Sequence, residues 1–178
     1  MSEQRVFGVT GWKNSGKTTL VCKLVREITS RGFSVSTIKH AHETFDMDHP
    51  GRDSHEHRLS GAQEVAISSK MRWAVLHELR GDEQPSLDDM LNRLTPVDLV
   101  IIEGYKREPH PKIECRRVDS RSQEEIAPLD SNVVAIARDH EIASDLPNFD
   151  INDINALTDF VLGHVGIISN DNMDAHDA

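Results

Sequence analysis

The run Val6-Phe7-Gly8-Val9-Thr10-Gly11-Trp12-Lys13-Asn14-Ser15-Gly16-Lys17-Thr18-Thr19-Leu20 decides how the rest of the chain is read. A short apolar stretch ends in glycine, a polar loop follows, and Leu20, Leu24 and Ile28 then recur at helical spacing over residues 18–29. This is strand, loop, helix, and Gly11 to Thr18 fits G-x-x-x-x-G-K-[ST] at every position. Glycines at 11 and 16 let the backbone turn so that successive N–H groups point inward, and the N-terminus of the following helix adds partial positive charge. Such a loop, Gly11-Trp12-Lys13-Asn14-Ser15-Gly16-Lys17-Thr18, is expected to cradle the phosphates of a purine nucleoside triphosphate. Lys17 would contact the β and γ phosphates, and the Thr18 hydroxyl would face Mg2+.

Outward from the loop, Gly32 closes the helix and residues 33–39 read as a second strand of alternating β-branched residues. Asp98-Leu99-Val100-Ile101-Ile102-Glu103-Gly104 is a continuous apolar strand bounded by acids, the pattern of a central strand covered on both faces. Glu103 at its end is the acid expected to hold magnesium opposite the loop, directly or through water. Asp98, at the other end of the same strand, is expected to be structural. Gly104 has two readings, an N–H donor to the γ phosphate or a turn. Further strands are expected at 64–68, 73–79, 112–118 and 132–137, and helices from Ser86, which opens a cap-like Ser-x-Asp-Asp, and over 153–165. Alternating elements of these lengths predict an α/β fold: a mainly parallel twisted sheet with helices on both faces, the P-loop NTPase fold, with ligands at the carboxyl ends of strands. One nucleotide-binding domain is expected over residues 1–166, with a frayed tail over 167–178.

The chain has 178 residues and a formal charge of −10, with charges of both signs well mixed. That balance argues against a broad electrostatic footprint for nucleic acid or an anionic membrane. No apolar run approaches the length that crosses a bilayer, so the expectation is a cytosolic protein. Cys22 and Cys115 lie far apart and outside any Cys-x-x-Cys spacing, which gives no support to a disulfide framework or a cysteine zinc site. Cys22 is expected to pack as a small apolar group.

Three segments together, GWKNSGKTTL (11–20), IKHAHETFDMDHPGRDS (38–54) and LVIIEGYKREPHPKIECRR (99–117), resemble the MobB family of molybdopterin-guanine dinucleotide biosynthesis adapter proteins. The first is widespread among nucleotide-binding proteins; the Lys-His stretch with its Pro-Gly-x-Asp-Ser turn and the Glu-Gly-Tyr-Lys strand end are far more selective. The resemblance implies a homodimer that binds GTP with Mg2+, hydrolyses it weakly, and acts beside the guanylyltransferase MobA that joins GMP to molybdopterin. It implies Lys13, Gly16, Lys17, Thr18 and Thr19 at the phosphates and Glu103 at the magnesium, so that Lys17 and Glu103 would serve whatever slow hydrolysis occurs. The chain has no Asn-Lys-x-Asp motif for guanine. Asp139, after the strand at 132–137, stands where a base-reading acid could be, and it could equally cap a turn.

Ligand-type side chains crowd the segment after the second strand: Lys39, His40, His42, Glu43, Asp46, Asp48, His49, Asp53, His55 and His57. They can serve magnesium and partner or pterin recognition, or a transition metal, or nothing beyond a solvated loop. Lys106, Arg107, Lys112, Arg116 and Arg117 form a basic stretch that could meet the phosphate of a molybdopterin substrate, an acidic partner, or only solvent. The leading reading is a GTP-binding adapter. Its rivals are a metal-insertion GTPase that loads nickel or zinc through the histidine-rich loop and, third, a small-molecule kinase.

Overall fold

Every pairing in the main sheet is parallel. A computed structural model describes residues 4–41 and 45–169, which form two compact units, one of residues up to 40 together with 90 onward, the other of residues 41–89. The first unit holds six strands: β1 (Val6–Gly11), β2 (Val35–Lys39), β5 (Leu99–Glu103), β6 (Lys112–Arg116), β7 (Val133–Arg138) and β8 (Asn148–Asp150), in the order β2-β5-β1-β6-β7-β8. The phosphate-loop strand therefore lies inside the sheet, between β5 and β6, and its carboxyl end opens among those of its neighbours.

Helices α1 (Lys17–Ser30) and α4 (Ile154–His164) share one face of this sheet. Leu20, Leu24 and Ile28 of α1 and Leu157, Val161 and Leu162 of α4 close on Phe7 and Val9 of β1, Leu99 and Ile101 of β5 and Ile113 of β6, all essentially inaccessible to solvent. Each such aliphatic side chain contributes about 1.5–3 kcal/mol on burial. Arg31, directly after α1, bonds Glu27 of α1 and Asp159 of α4, tying the two helices together outside the core. Both helices end alike: in α1 the Phe33 N–H returns to the Ile28 carbonyl at 3.3 Å around Gly32 (φ +90°), and in α4 Ile167 returns to Leu162 at 2.9 Å around Gly166 (φ +68°). Glycine suits both positions because a Cβ disfavours the left-handed region.

The opposite face is closed near β6 by irregular chain and buried charge. Lys112 has no exposed surface, and its Nζ donates to the carbonyls of Lys106 and Glu108 and to Asp130. Glu114 accepts from the N–H groups of Ile126 and Ala127 and from Arg116, which also reaches Glu125. The basic stretch of the sequence is thus divided: Lys112 and Arg116 are spent on internal partners, which corrects their reading as cations available to a ligand. Burial of the Lys112 ammonium is tolerated because three oxygens replace its water.

The second unit holds α2 (Asp53–Leu59) and a two-stranded antiparallel sheet of β3 (Glu64–Ser68) and β4 (Trp73–His77). The expected strands are present but pair with each other. Helix α2 stands where the sequence reads as loop. None of its residues is buried, so it has no apolar periodicity to detect. Arg58 from α2 bonds Asp46 and Glu78 and lies 3.6 Å from Asp48. Helix α3 (Leu87–Arg93) begins as expected, with Ser86 and Asp89 capping each other reciprocally. Cys22 is exposed on α1, against its expected packing, whereas Cys115 is buried.

Candidate functional site

The loop between β1 and α1 is held in a shape that its sequence requires. Gly11 (φ +143°) and Gly16 (φ +90°) are both in the left-handed half of backbone space, and Asn14 joins them at φ +68°. A Cβ on Gly11 would sit 2.4 Å from Ser15 Oγ and 2.8 Å from the Cys115 carbonyl. Glycine there lets the loop fold back against β6. Gly16 immediately precedes α1, so the first N–H groups of that helix, which have no carbonyl of their own helix to bond, open into the loop. Ser15 is fully buried inside the turn and its Oγ has no partner.

Charged side chains gather at the mouth. Lys17 Nζ donates to the Trp12 carbonyl at 2.6 Å, lying across the loop. Burial lowers its pKa, as does the nearby Lys39, while Cys115 and Glu103 act in the opposite sense. Thr18 Oγ1 donates to Glu103 Oε1 at 2.7 Å, joining residues 85 apart in sequence. Lys39 Nζ stands 3.2 Å from the same oxygen. Parallel register explains the meeting, since Glu103 is the last residue of β5 and is matched with Val9 on β1 and Lys39 on β2. The Gly104 N–H is taken by the Val9 carbonyl at 3.2 Å and its φ is +97°, which favours the turn reading over phosphate contact. Asp98, at the far end of β5, accepts from the Ser34 N–H and hydroxyl, a structural role as expected.

This donor set fits a phosphate chain with a hard divalent cation: a glycine cradle that side chains would fill, an orphaned buried hydroxyl, two lysines, and a hydroxyl and carboxylate in contact. Thr18 and Glu103 supply the oxygen ligands of the kind magnesium takes. Lys13, Asn14 and Thr19 are exposed on the loop and the first turn of α1, and the Lys13 carbonyl accepts from the Arg121 N–H.

Asp139 directly follows β7, two strands from β1, at the same carboxyl edge. Its carboxylate accepts from the Val118 N–H, Arg117 Nε and His140. Burial alone would raise its pKa; these three donors outweigh it and the net shift is downward. Sequence reasoning missed the link from Arg117 to the loop. The Arg117 stem lies 3.0 Å from where a Gly16 Cβ would be, so one side chain spans from the phosphate loop to Asp139.

The family model described as molybdopterin guanine dinucleotide synthesis protein B, MobB, matches residues 6–139. The chain belongs to the MobB family. It is 37% identical over 159 residues to the molybdopterin-guanine dinucleotide biosynthesis adapter protein of Escherichia coli (strain K12), covering 88% of this chain and 91% of that one. The counterpart from Haemophilus influenzae is likewise 37% identical, over 158 residues. Among solved structures, a MobB homolog from Bacillus stearothermophilus superposes with a TM-score of 0.66 at 28% identity, over 92% of this chain and 99% of that one. MobB from Bacillus subtilis, at 22% identity and a TM-score of 0.70 over 89% and 96% of the two chains, supports the fold alone. The α/β class and the P-loop nucleotide-binding fold expected from the sequence are therefore those of the family.

The histidine-rich segment divides. His42 and Glu43 lie outside the described residues. Asp46 and Asp48 are drawn to Arg58, and Ser54 donates to Asp48 at 2.9 Å. Among the described residues no group of three His, Cys, Asp or Glu side chains gathers as a metal site would. His40 stacks on Tyr105 with ring centroids 4.7 Å apart. Trp12 donates to the Glu124 carbonyl and carries Lys106 Nζ 3.6 Å from its ring centroid, beside a shallow groove lined also by Arg107, Ile126 and Leu129.

Proposed function

We propose that this adapter of molybdopterin-guanine dinucleotide biosynthesis works by holding GTP and Mg2+ on the Gly11–Thr18 loop and offering the loaded surface to the guanylyltransferase, MobA. The observation that carries the reading is the Thr18–Glu103 hydrogen bond, which joins the loop to the neighbouring strand end at the point where a nucleotide's metal would sit. Magnesium, when bound there, would neutralise phosphate charge; Thr18 and Glu103 would hold it, and Lys17 would leave the Trp12 carbonyl for the β and γ phosphates. Gly11, Lys13, Asn14, Ser15, Gly16 and Thr19 form the remainder of the cradle in this reading, and Asp139 reads the guanine edge. Hydrolysis is expected to be slow, because the side chains that meet Glu103, the Thr18 hydroxyl and the Lys39 ammonium, both act as donors to it and neither is a base that could activate water.

The same reading includes a homodimer. On the β3–β4 hairpin, Trp73 and Val75 face outward with Met71 at the turn, and Trp73 is 73% exposed. Exposed apolar groups clustered on so small a sheet support self-association. Lys106 and Arg107 beside Trp12 are the cations through which a phosphate-bearing molybdopterin would meet the loop.

Isothermal titration with GTP and with ATP, each with magnesium, tests the proposal. Preferential binding of GTP is the expected result; equal or ATP-favoured binding would remove Asp139 as base reader and bring the kinase reading forward.

A further inference from the structure

The Lys39–Glu103 pair has no part in the loop motif, yet it lies against the carboxylate that contacts Thr18. Lys39 ends β2, an edge strand that touches β5 and not β1. Its side chain is 60% exposed, while that of Glu103 is 11% exposed, so a largely solvated lysine rests on a nearly buried acid. Thr18 and Lys39 share the single oxygen Oε1. A cation that takes an oxygen of Glu103 therefore competes with Lys39 for it.

The direction of a bound nucleotide follows from the sheet. Strands are spaced by about 4.8 Å, so β7 and β2 stand roughly 10 Å from β1 on opposite sides. A base read by Asp139 lies toward β7. Its phosphate chain, crossing the loop on β1 and the start of α1, then ends toward β5 and β2, where Lys39 stands. Lys17 and Lys39 are already close enough for each charge to act on the other. With one carboxylate between two lysines, the site holds surplus positive charge for an anion to meet.

We propose that Lys39 is the γ-phosphate sensor of this site: it rests on Glu103 in the nucleotide-free protein and shifts to the terminal phosphate when the triphosphate, but not the diphosphate, is bound with its metal. The inference rests on the nucleotide-binding reading. It makes Lys39 a ligand-discriminating residue, since a group that must leave Glu103 gains a new partner only from the third phosphate. Lys39 also precedes His40, whose N–H bonds the Glu103 carbonyl at 3.0 Å and whose ring stacks on Tyr105, so the backbone beside Lys39 is held to the end of β5 while its side chain stays in solvent.

The test compares the affinities of GDP and of the β,γ-imido analogue of GTP, with magnesium, for the wild type, Lys39→Met and Lys39→Arg. Losing one charge-assisted contact should weaken the triphosphate by about tenfold in Lys39→Met and leave GDP within about twofold, with Lys39→Arg retaining most of the discrimination. Urea unfolding should be unchanged in Lys39→Met, the side chain being largely in solvent. Wild type that binds nucleotide, with a triphosphate-to-diphosphate ratio unaltered in Lys39→Met, would overturn the role of Lys39 alone. Wild type that binds neither nucleotide would remove the nucleotide reading and this inference with it.

Discussion

Arg117 reaches from the phosphate loop to Asp139: its Nε bonds the carboxylate at 3.0 Å while its stem covers Gly16. A carboxylate so held is fixed in direction yet retains lone pairs for further donors, which is what a base-reading acid needs. Asp139→Asn removes an acceptor that guanine can fill and adenine cannot. GTP affinity should fall by at least about tenfold with ATP affinity unchanged, measured by calorimetry. Equal losses for the two nucleotides would make Asp139 a clamp on the Val118 backbone and nothing more.

Lys112 and Asp130 form a different kind of pair, at 3.0 Å with the ammonium wholly buried. Asp130→Ala would leave that charge with only two carbonyl partners, and a loss of about 3 kcal/mol in urea unfolding at pH 7 is expected. Burial raises the Asp130 pKa, but the bonds from Asn132 and Lys112 more than offset it, so the folded value lies below 3.8. A depressed carboxylate stabilises the fold above its unfolded pKa and loses that contribution as pH falls through the folded one. The gap between wild type and variant should therefore be full near neutrality and narrow below pH 3.8.

His110 packs against Gly8 and Lys112 with neither ring nitrogen partnered, and burial, with the Lys112 charge beside it, pushes its pKa down to about 4. The unfolded chain takes up this proton near pH 6.5 and the folded one only near 4, so stability should decline as pH drops between those values. His110→Met should flatten that decline, most visibly between pH 6.5 and 5, where carboxylates contribute least. An unchanged profile would show that the imidazole is protonated in place.

Trp73 on the hairpin offers a direct check of self-association. Trp73→Asp should convert a dimer into a monomer in light scattering, with nucleotide affinity of the sheet site unaffected. A wild type that is already monomeric at micromolar concentration would exclude the hairpin as a dimer contact.

The parts of the site legible in the sequence are those whose chemistry is local. Gly11, Gly16, Lys17 and Thr18 lie within one turn of chain, and Val100-Ile101-Ile102-Glu103 announces a buried strand with an acid at its end. Lys39 could be singled out as a ligand-type side chain and Arg117 as part of a basic stretch, but not their partners, because what brings them to Glu103 and Asp139 is parallel register, of β2 with β5 and of β6 with β7. The strands at 64–68 and 73–77 could be named but not paired, since alternation fixes a face and not a neighbour. Strand β8, three residues long and starting directly after Pro147, is too short to show a period. Lys112 reads as solvent-facing because nothing in its immediate sequence reveals the two carbonyls and Asp130 that replace its water.

Placing β1 between β5 and β6 also constrains how the chain can be made. The first strand and the second are both complete by residue 39, but they do not pair with each other; β5, their common neighbour, begins at Leu99. During synthesis, the phosphate loop and its helix therefore emerge well before any strand that can pair with β1. About sixty more residues must be added before the sheet can nucleate, and such long-range parallel pairing is intrinsically slow. The nascent chain thus spends that interval with Val6–Gly11 as an unpaired apolar edge, an opportunity for chaperones and a hazard for aggregation.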